Sequence, residues 1–221
     1  MRIGLLGGTG DMGMGLALRW GNKHEIYVGS RSRERAESSA CEYTRIAGSR
    51  GTVNARIVGM LNDEVVKLSE VVVFTVPYEP SIELATRLAS LFKGKLVVSP
   101  IVPLKRDDGL FFHNPLKGTS AAEELKEIIH ADAKVVSALH TVPAGRLIRE
   151  GALPNNDVVV CGDEKEAKEV VMSLIREIEG LRPVDGGALR NSRLVEALVP
   201  LLLNISRTCK IKEPMIKFVW Q

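Results

Sequence analysis

The sequence predicts an α/β protein with a doubly wound, mostly parallel sheet, and three observations lead to this fold. Short runs rich in β-branched residues recur along the chain, and stretches of helical period separate most of them. Loop-forming residues follow four of the runs: Pro77, Pro100, Pro143 and Gly162. The 221 residues, 45% of them hydrophobic, suffice for one large domain with a small appendage. We therefore expect helices on both faces of the sheet.

The predicted elements alternate in chain order. Strands are expected at residues 3–6, 25–29, 71–76, 96–99, 135–139 and 158–160. Helices are expected at residues 11–20, 79–92, 121–131, 164–179 and 191–209. A further helix is expected to begin in the basic segment after the second strand and to end at residue 47. Residues 180–190 contain glycine and are expected to be irregular. Ligands of such sheets bind beyond the carboxyl ends of the strands, so the loops there are the places to look for chemistry.

Gly8, Gly10 and Gly13 have the G-x-G-x-x-G spacing between the first strand and the first helix. Gly8 permits a tight turn, Gly10 lets phosphates approach the backbone, and Gly13 lets the helix pack closely on the strand. A second strand follows at βαβ spacing, which favours this interpretation over an ordinary glycine-rich turn. The sequence thus predicts a Rossmann-type fold with a dinucleotide diphosphate at the helix N-terminus.

The residues after the second strand indicate which dinucleotide is bound. NAD-binding folds place a carboxylate here for the ribose hydroxyls, but residues 29–35 read GSRSRER. A serine hydroxyl and arginine forks suit a 2′-phosphate, so Ser30, Arg31 and Arg35 are predicted to bind NADP. A solvated basic helix start is the alternative, and for Arg33 it is the preferred interpretation.

Composition excludes several other classes of function. The formal net charge is +3, from 30 Lys and Arg against 27 Asp and Glu, which gives no reason to expect a nucleic-acid partner. Cys41, Cys161 and Cys209 are odd in number and lack zinc spacing, so free thiols and no metal are expected. Residues 197–203 form a late apolar stretch too short to span a bilayer. A strand directly after Met1 leaves no room for a signal peptide, so the cytoplasm is the expected location.

Seven segments together resemble the archaeal NADP-dependent reductases of the deazaflavin coenzyme F-420, nearly from end to end. They are GGTG at residues 7–10, VGSR at 28–31, TVPY at 75–78, VVSP at 97–100, SALHTVPA at 137–144, VCGD at 160–163 and NSRLVE at 191–196. LHTVP within the fifth segment and NSRLVE are the most restrictive. The resemblance implies reversible hydride transfer between reduced F-420 and NADP, with the two coenzymes stacked face to face.

The resemblance also assigns site residues by position. It places Thr9, Asp11 and Met12 near the diphosphate and Tyr78, Ile82 and Ala144 around the ribose and nicotinamide, with Thr75 and Pro77 as further coenzyme contacts. It places His140, Thr141, Val142 and Pro143 in the deazaflavin pocket, and Ser206, Arg207 and Met215 in the opposite wall. Leu139 can add to the flat apolar slot, and Arg207, Lys210 and Lys212 can meet the anionic F-420 tail, although a solvated basic helix end explains these cations equally well.

Direct hydride transfer needs no nucleophile, so no residue is assigned a certain catalytic role. His140 is a possible proton donor, and the preferred alternative is that it only orients the deazaflavin through one hydrogen bond. Asp163 and Asp185 are interpreted as turn or cap residues, and Arg193 with Glu196 as an ion pair. Two other functions stay open: reduction of a flavin, ferric or imine acceptor on the same scaffold, and NADP sensing without catalysis.

The chain is divided into an NADP-binding unit, residues 1–188, and a C-terminal helical segment, residues 189–221, which closes the deazaflavin site. Its helix carries large aliphatic residues that a domain of this size would not cover completely: Leu194, Leu198, Leu201, Leu202 and Ile205. A twofold partner is the commonest way to bury such a stripe, so a homodimer is expected.

Overall fold

The computed structural model describes residues 1–52 and 54–219. The strands are Arg2–Leu6 (β1), Glu25–Ser30 (β2), Arg56–Leu61 (β3), Val71–Phe74 (β4), Leu96–Ser99 (β5), Leu104–Asp107 (β6), Leu110–His113 (β7), Lys134–Ser137 (β8), Asn156–Gly162 (β9) and Leu181–Asp185 (β10). The α-helices are Asp11–Trp20 (α1), Arg33–Ser49 (α2), Asn62–Leu68 (α3), Tyr78–Leu88 (α4), Ala121–Ile128 (α5), Ala144–Ile148 (α6), Lys165–Arg176 (α7) and Ser192–Cys209 (α8). Short 3-10 turns occur at Ala89–Phe92 and Leu189–Asn191.

One sheet has the strand order β3-β2-β1-β4-β5-β8-β9-β10, and β6 and β7 form a separate antiparallel hairpin. Neighbouring strands of the sheet are parallel except β8 and β9, which are antiparallel. This confirms the predicted doubly wound, mostly parallel architecture. The chain first builds outward from β1 to β3 and then continues on the other side from β4. The boundary between β1 and β4 is therefore the switch point, where a crevice opens.

Two hydrophobic clusters lie on opposite faces of the sheet, because successive residues of a strand point to opposite sides. In β4, Val71 and Val73 belong to one cluster, and Val72 and Phe74 belong to the other. A strand buried on both faces reads as an unbroken apolar run, which is why β4 was predictable from the sequence.

Several elements differ from the prediction. β3, α3, α6 and the β6–β7 hairpin were not predicted from the sequence, and residues 181–185, expected to be irregular, form β10. Pro183 in β10 is tolerated because this strand lies at the edge of the sheet. The predicted strand at 71–76 ends at Phe74, and the predicted helix at 79–92 leaves α-geometry after Leu88.

The C-terminal segment packs on the hairpin and then returns to the sheet. The Asn204 amide of α8 bonds both backbone groups of Phe111, accepting from its N–H at 2.8 Å and donating to its carbonyl at 2.9 Å. Beyond α8, the backbone N–H of Ile216 donates to Oδ1 of Asn156 at 2.9 Å. Because β9 runs antiparallel to β8, its first residue Asn156 lies at the edge where the parallel strands end. The C-terminal tail, residues 210–219, therefore lies beside the edge formed by the carboxyl ends of the parallel strands.

Residues 220 and 221 of the predicted segment 189–221 lie outside the described residues, and its boundary with 1–188 stays a prediction. Within the described ranges, no helix combines the length and the apolar character that a membrane crossing requires.

Candidate functional site

The turn after β1 departs in one detail from the prediction. Gly7 has a φ of +66°, and a side chain on it would overlap Val76. Gly7, and not Gly8, is thus the left-handed residue of the tight turn, which only glycine adopts without strain. Gly8 is needed for space instead, because a methyl group there would lie 2.8 Å from Cβ of Leu5.

The surroundings of Gly10 and Gly13 are compatible with the roles that the motif predicts, and the role of Gly10 toward phosphates stays a prediction. A methyl group on Gly13 would overlap the backbone of Gly8, so the close packing of α1 on the turn requires glycine. A methyl group on Gly10 would meet nothing within 4 Å. Gly10 is also the N-cap residue of α1, without a side-chain hydrogen bond to the helix. The helix N-terminus is therefore open to an anion, and a dinucleotide diphosphate fits there.

These two glycines give a paired prediction. Gly13→Ala should destabilise the fold by about 3 kcal/mol or more, because the backbone around the turn cannot relax freely. Gly10→Ala should leave stability unchanged and weaken NADP binding about tenfold, because the methyl group occupies the approach of the phosphates. Thermal unfolding and NADP titration of both variants check this, and equal melting temperatures would contradict it.

A cleft of about 510 Å³ opens beside the turn, and we call it the arginine cleft. Its lining residues are Gly7, Thr9, Ser30, Arg31, Arg35, Asn62, Val76, Pro77, Pro80, Glu83, Leu84 and Arg87. The structure thus brings the three predicted 2′-phosphate ligands into one cavity with Thr9. Arg87, from the last turn of α4, was missed because it is far from Arg31 in the sequence.

The guanidinium groups in the arginine cleft differ from their neighbour Arg33. Arg33 lies outside the cleft and pairs with Glu64 at 2.5 Å and with Glu37 at 3.8 Å, as expected for a solvated helix residue. Among the described residues, Arg31, Arg35 and Arg87 have no ion-pair partner within 4.0 Å. Unpaired cations that face one cavity favour a phosphate ligand.

A second cleft, of about 380 Å³, adjoins the first at Val76 and Pro77, and we call it the apolar cleft. Its lining residues are Met12, Phe74, Thr75, Val76, Pro77, Tyr78, Glu79, Pro100, Ile101, Val102, Leu104 and Val199. Leu104 comes from the hairpin, and Val199 of α8 is the residue of the C-terminal segment in this lining. Thr75 is fixed by a hydrogen bond from its hydroxyl to the carbonyl of Leu6 at 2.8 Å.

The phenol of Tyr78 is held away from solvent at the far side of the apolar cleft. Its hydroxyl donates to Oε2 of Glu124 at 2.5 Å and accepts from the backbone N–H of Leu116 at 2.7 Å. Burial, together with the Glu124 contact, raises the pKa of Tyr78 above its ordinary value. The phenol is therefore neutral.

Ile82, a residue of α4, packs against the hydrophobic core and lines neither cleft.

The loop between β8 and α6 holds the residues predicted for the deazaflavin. Leu139 is buried with a φ of +70°. This left-handed conformation costs a residue other than glycine about 1–3 kcal/mol. A hydrogen bond from the N–H of Val142 to the carbonyl of Leu139, at 3.2 Å, closes the turn. Pro143 is the N-cap residue of α6, and Ala144 begins that helix. None of His140, Val142 and Pro143 lines the apolar cleft.

His140 is the unusual residue of this loop. The residue is 9% exposed, and neither ring nitrogen has a hydrogen-bond partner among the described residues. Burial, and secondarily the nearby His113, lowers the pKa of His140 to about 3. The imidazole is therefore neutral, and neither its N–H nor its lone pair is used by a described residue.

The predicted residues of the opposite wall lie at two places. Ser206 and Arg207 are at the far end of α8, where they donate to the carbonyls of Ile211 and Gly109, respectively. Met215 lies in the tail after Glu213, which pairs with Arg146 at 2.7 Å beside the loop of His140. The roles of these residues and of Lys210 and Lys212 toward F-420 stay predictions.

Other polar residues have structural partners. Asp163 accepts from the N–H of Leu189 at 2.9 Å, and Asp185 accepts from the N–H of Gly187 at 2.8 Å, in agreement with their interpretation as turn or cap residues. Asp185 also pairs with Lys168 at 2.6 Å. The predicted Arg193–Glu196 pair is wrong. Arg193 forms a two-bond pair with Glu123, at 2.7 Å for both bonds.

Glu196 is instead fully buried and accepts from the N-terminal N–H groups of α5, at 2.9 Å and 3.2 Å, and from His113 at 3.2 Å. Burial raises its pKa. The three cysteines are free, as predicted.

Comparison with known proteins agrees with this geometry. Residues 2–103 match the family described as NADP oxidoreductase, coenzyme F420-dependent. The F420-dependent NADP reductase of Methanocaldococcus jannaschii is 39% identical over 217 residues, which cover 96% of this chain and 95% of the relative. The chain belongs to the F420-dependent NADP reductase family.

A second family member, from Methanothermobacter thermautotrophicus, is 28% identical over 98% of this chain and 94% of its own length. Among solved structures, a putative F420-dependent NADP-reductase from Arthrobacter sp. FB24 superposes with a TM-score of 0.82 and 24% identity over the full length of both chains. At that identity the likeness establishes the fold.

Proposed function

We propose that this protein transfers a hydride reversibly between reduced coenzyme F-420 and NADP. The observation that carries the proposal is the junction of two different cavities at the switch point of the sheet. The arginine cleft suits the phosphorylated end of NADP, and the apolar cleft that adjoins it suits flat rings. Membership of the F420-dependent NADP reductase family supports the same substrate pair.

The chain contributes orientation, electrostatics and exclusion of water. The open N-terminus of α1 holds the diphosphate, and Ser30, Arg31 and Arg35 hold the 2′-phosphate. The reduced nicotinamide of NADPH supplies the hydride that the F-420 ring accepts. His140 lies outside both clefts, so its neutral imidazole would orient that ring only after a rearrangement of the loop that holds it.

A mixture of the purified protein, NADPH and oxidised F-420 tests the proposal. We expect the absorbance of both coenzymes to fall together with one-to-one stoichiometry. FMN serves as the control acceptor, and F-420 should be reduced faster by at least about 100-fold, since a site built for one ring rejects an analogue that leaves its polar groups unpaired. Comparable rates with FMN would contradict F-420 as the substrate.

We further propose that the protein is a homodimer and that α8 forms its interface. Leu194 is 72% exposed and Leu201 is 53% exposed, and Ile205 continues the same face of the helix. Phe112 of the adjoining hairpin is also exposed, so the apolar surface spans two elements. An apolar face of this extent is typical of subunit contacts. The segment 189–221 would then have two roles: α8 would form the subunit contact, and Val199 of the same helix lines the apolar cleft.

The dimer predicts a mass near twice 24.1 kDa by light scattering at micromolar concentration. A Leu194→Glu and Leu201→Glu double variant should scatter as a monomer, because two buried carboxylates would be left unpaired at the interface. The matched control is Leu68→Glu, an exposed leucine on α3. An unchanged mass in the double variant would argue against this interface.

We also propose that the enzyme works in the cytoplasm, where thiols such as the exposed Cys41 and Cys209 remain reduced.

A further inference from the structure

Helices α1 and α6 are packed tightly against each other. A methyl group on Gly15 of α1 would lie 2.5 Å from Cβ of Leu147, so only glycine permits this approach. The side chain of Leu147 is fully buried in the same cluster as Leu16 and Ala17 of α1. Because the two helices are closely packed, a shift of one helix displaces the other.

One side chain completes this contact. The guanidinium of Arg19, in the last turn of α1, donates to backbone carbonyls at the end of α6 and just beyond it. Nε donates to Leu147 at 2.9 Å, Nη1 to Gly151 at 2.7 Å, and Nη2 to Arg149 at 2.6 Å and Arg146 at 3.4 Å. The last carbonyls of a helix have no partners within it, and a cation there is favourable. Arg19 thus supplies the cap that this five-residue helix lacks.

The two ends of α1 have different neighbours. Its N-terminus at Gly10 is the diphosphate site, and its C-terminal turn holds α6 through Arg19. Helix α6 starts directly after the loop that carries His140, with Pro143 as its N-cap. Because α1 has ten residues and rises about 1.5 Å per residue, it spans about 15 Å between these points.

We propose that Arg19 is a positioning residue that fixes the deazaflavin loop relative to the NADP site. The inference rests on the proposed function, since it concerns the alignment of the two coenzymes. Hydride transfer needs the donor and acceptor carbons at near-contact distance, and a displacement of about 1 Å can cost about 100-fold in rate. Arg19 itself touches neither coenzyme site and acts only through α6.

Arg19→Met tests this, since it keeps the aliphatic stem and removes every donor. We expect kcat for F-420 reduction to fall about 10–100-fold and the dissociation constant of NADP to stay within about twofold. The deuterium isotope effect on kcat with 4-deuterated NADPH should rise, because hydride transfer becomes rate-limiting. Fewer folded molecules would lower kcat without changing the isotope effect. Amide hydrogen exchange without coenzymes should become faster at residues 144–151.

Arg45→Met on α2 is the matched control, because Arg45 is exposed and its side chain forms no hydrogen bond or ion pair with another described residue. Arg19→Lys should give an intermediate rate, since one ammonium cannot reach all four carbonyls. It also keeps the inference testable if Arg19→Met does not fold. A kcat for Arg19→Met within twofold of the wild type, or, if that variant does not fold, an Arg19→Lys kcat equal to that of the wild type, would overturn the inference, and so would an unchanged isotope effect. Failure of the wild type to reduce F-420 would refute the proposed function instead, and the exchange experiment would still report whether Arg19 holds α6.

Discussion

Arg31→Ala is expected to reduce the preference for NADP over NAD by about 100-fold. Charge-assisted hydrogen bonds are each worth about 1.5–3 kcal/mol, and a forked contact to the 2′-phosphate contains two of them. NAD lacks that phosphate, so its binding should change little. Calorimetric titration with NADP, NAD and 2′-AMP measures the effect, and the loss should appear for NADP and 2′-AMP alone.

Arg33→Ala is the matched control for this experiment. Arg33 is two residues further along the same basic segment, but its charge is already paired with Glu64. Its removal should leave the affinities for NADP and NAD within about twofold. Arg87→Ala should have a smaller effect in the same direction as Arg31→Ala, because Arg87 lines the arginine cleft but comes from α4 and not from the segment after β2. Equal losses of NAD and NADP affinity in Arg31→Ala would refute the assignment of a 2′-phosphate site.

The contrast between Arg31 and Arg87 illustrates what the sequence can predict. Arg31 follows a strand that ends beside the glycine turn, so local order along the chain is enough to place it near the ribose. Arg87 and Arg19 acquire their positions only through packing between distant segments. Nothing in the periodicity of α1 indicates that Arg19 would cap α6, since α6 itself has only five residues and gives no helical period.

The elements missed in the sequence have similar physical causes. β3 is an edge strand, and Gly59 interrupts its run of apolar residues in the sequence. Glycine is needed there because α2 approaches so closely that a side chain would overlap the backbone of Ala36. β6 is exposed and mostly charged, and β7 has alternate residues exposed and is held by the Asn204 amide on α8. Glu196 was paired with Arg193 on helical spacing, but the N-terminus of α5 offers it two N–H donors in a buried site, which helical spacing cannot reveal.

His140→Ala is expected to lower kcat for F-420 reduction about 10–100-fold and to leave NADP affinity unchanged. A single oriented hydrogen bond to a reacting ring accounts for that range. His140→Asn, which keeps one donor and one acceptor, should recover part of the rate. Because the imidazole is neutral in the folded protein, wild-type kcat should show no step caused by His140 near pH 6.5. A step at that pH that disappears in His140→Asn would identify the residue as a proton donor instead.

The same burial predicts a pH dependence of stability. The pKa of His140 is about 3 when folded and 6.5 ordinarily, so between these values the unfolded chain binds a proton that the folded chain does not. Stability should therefore be highest above pH 6.5 and fall as the pH decreases toward 3, by at most about 1.4 kcal/mol per unit from this group. The raised pKa of Glu196 acts in the opposite direction in acid, but it is common to wild type and His140→Asn and cancels in their difference. Urea unfolding at pH 7 and pH 5 measures that difference. If both proteins lost equal stability on acidification, the imidazole would have to be accessible to protons in the folded state.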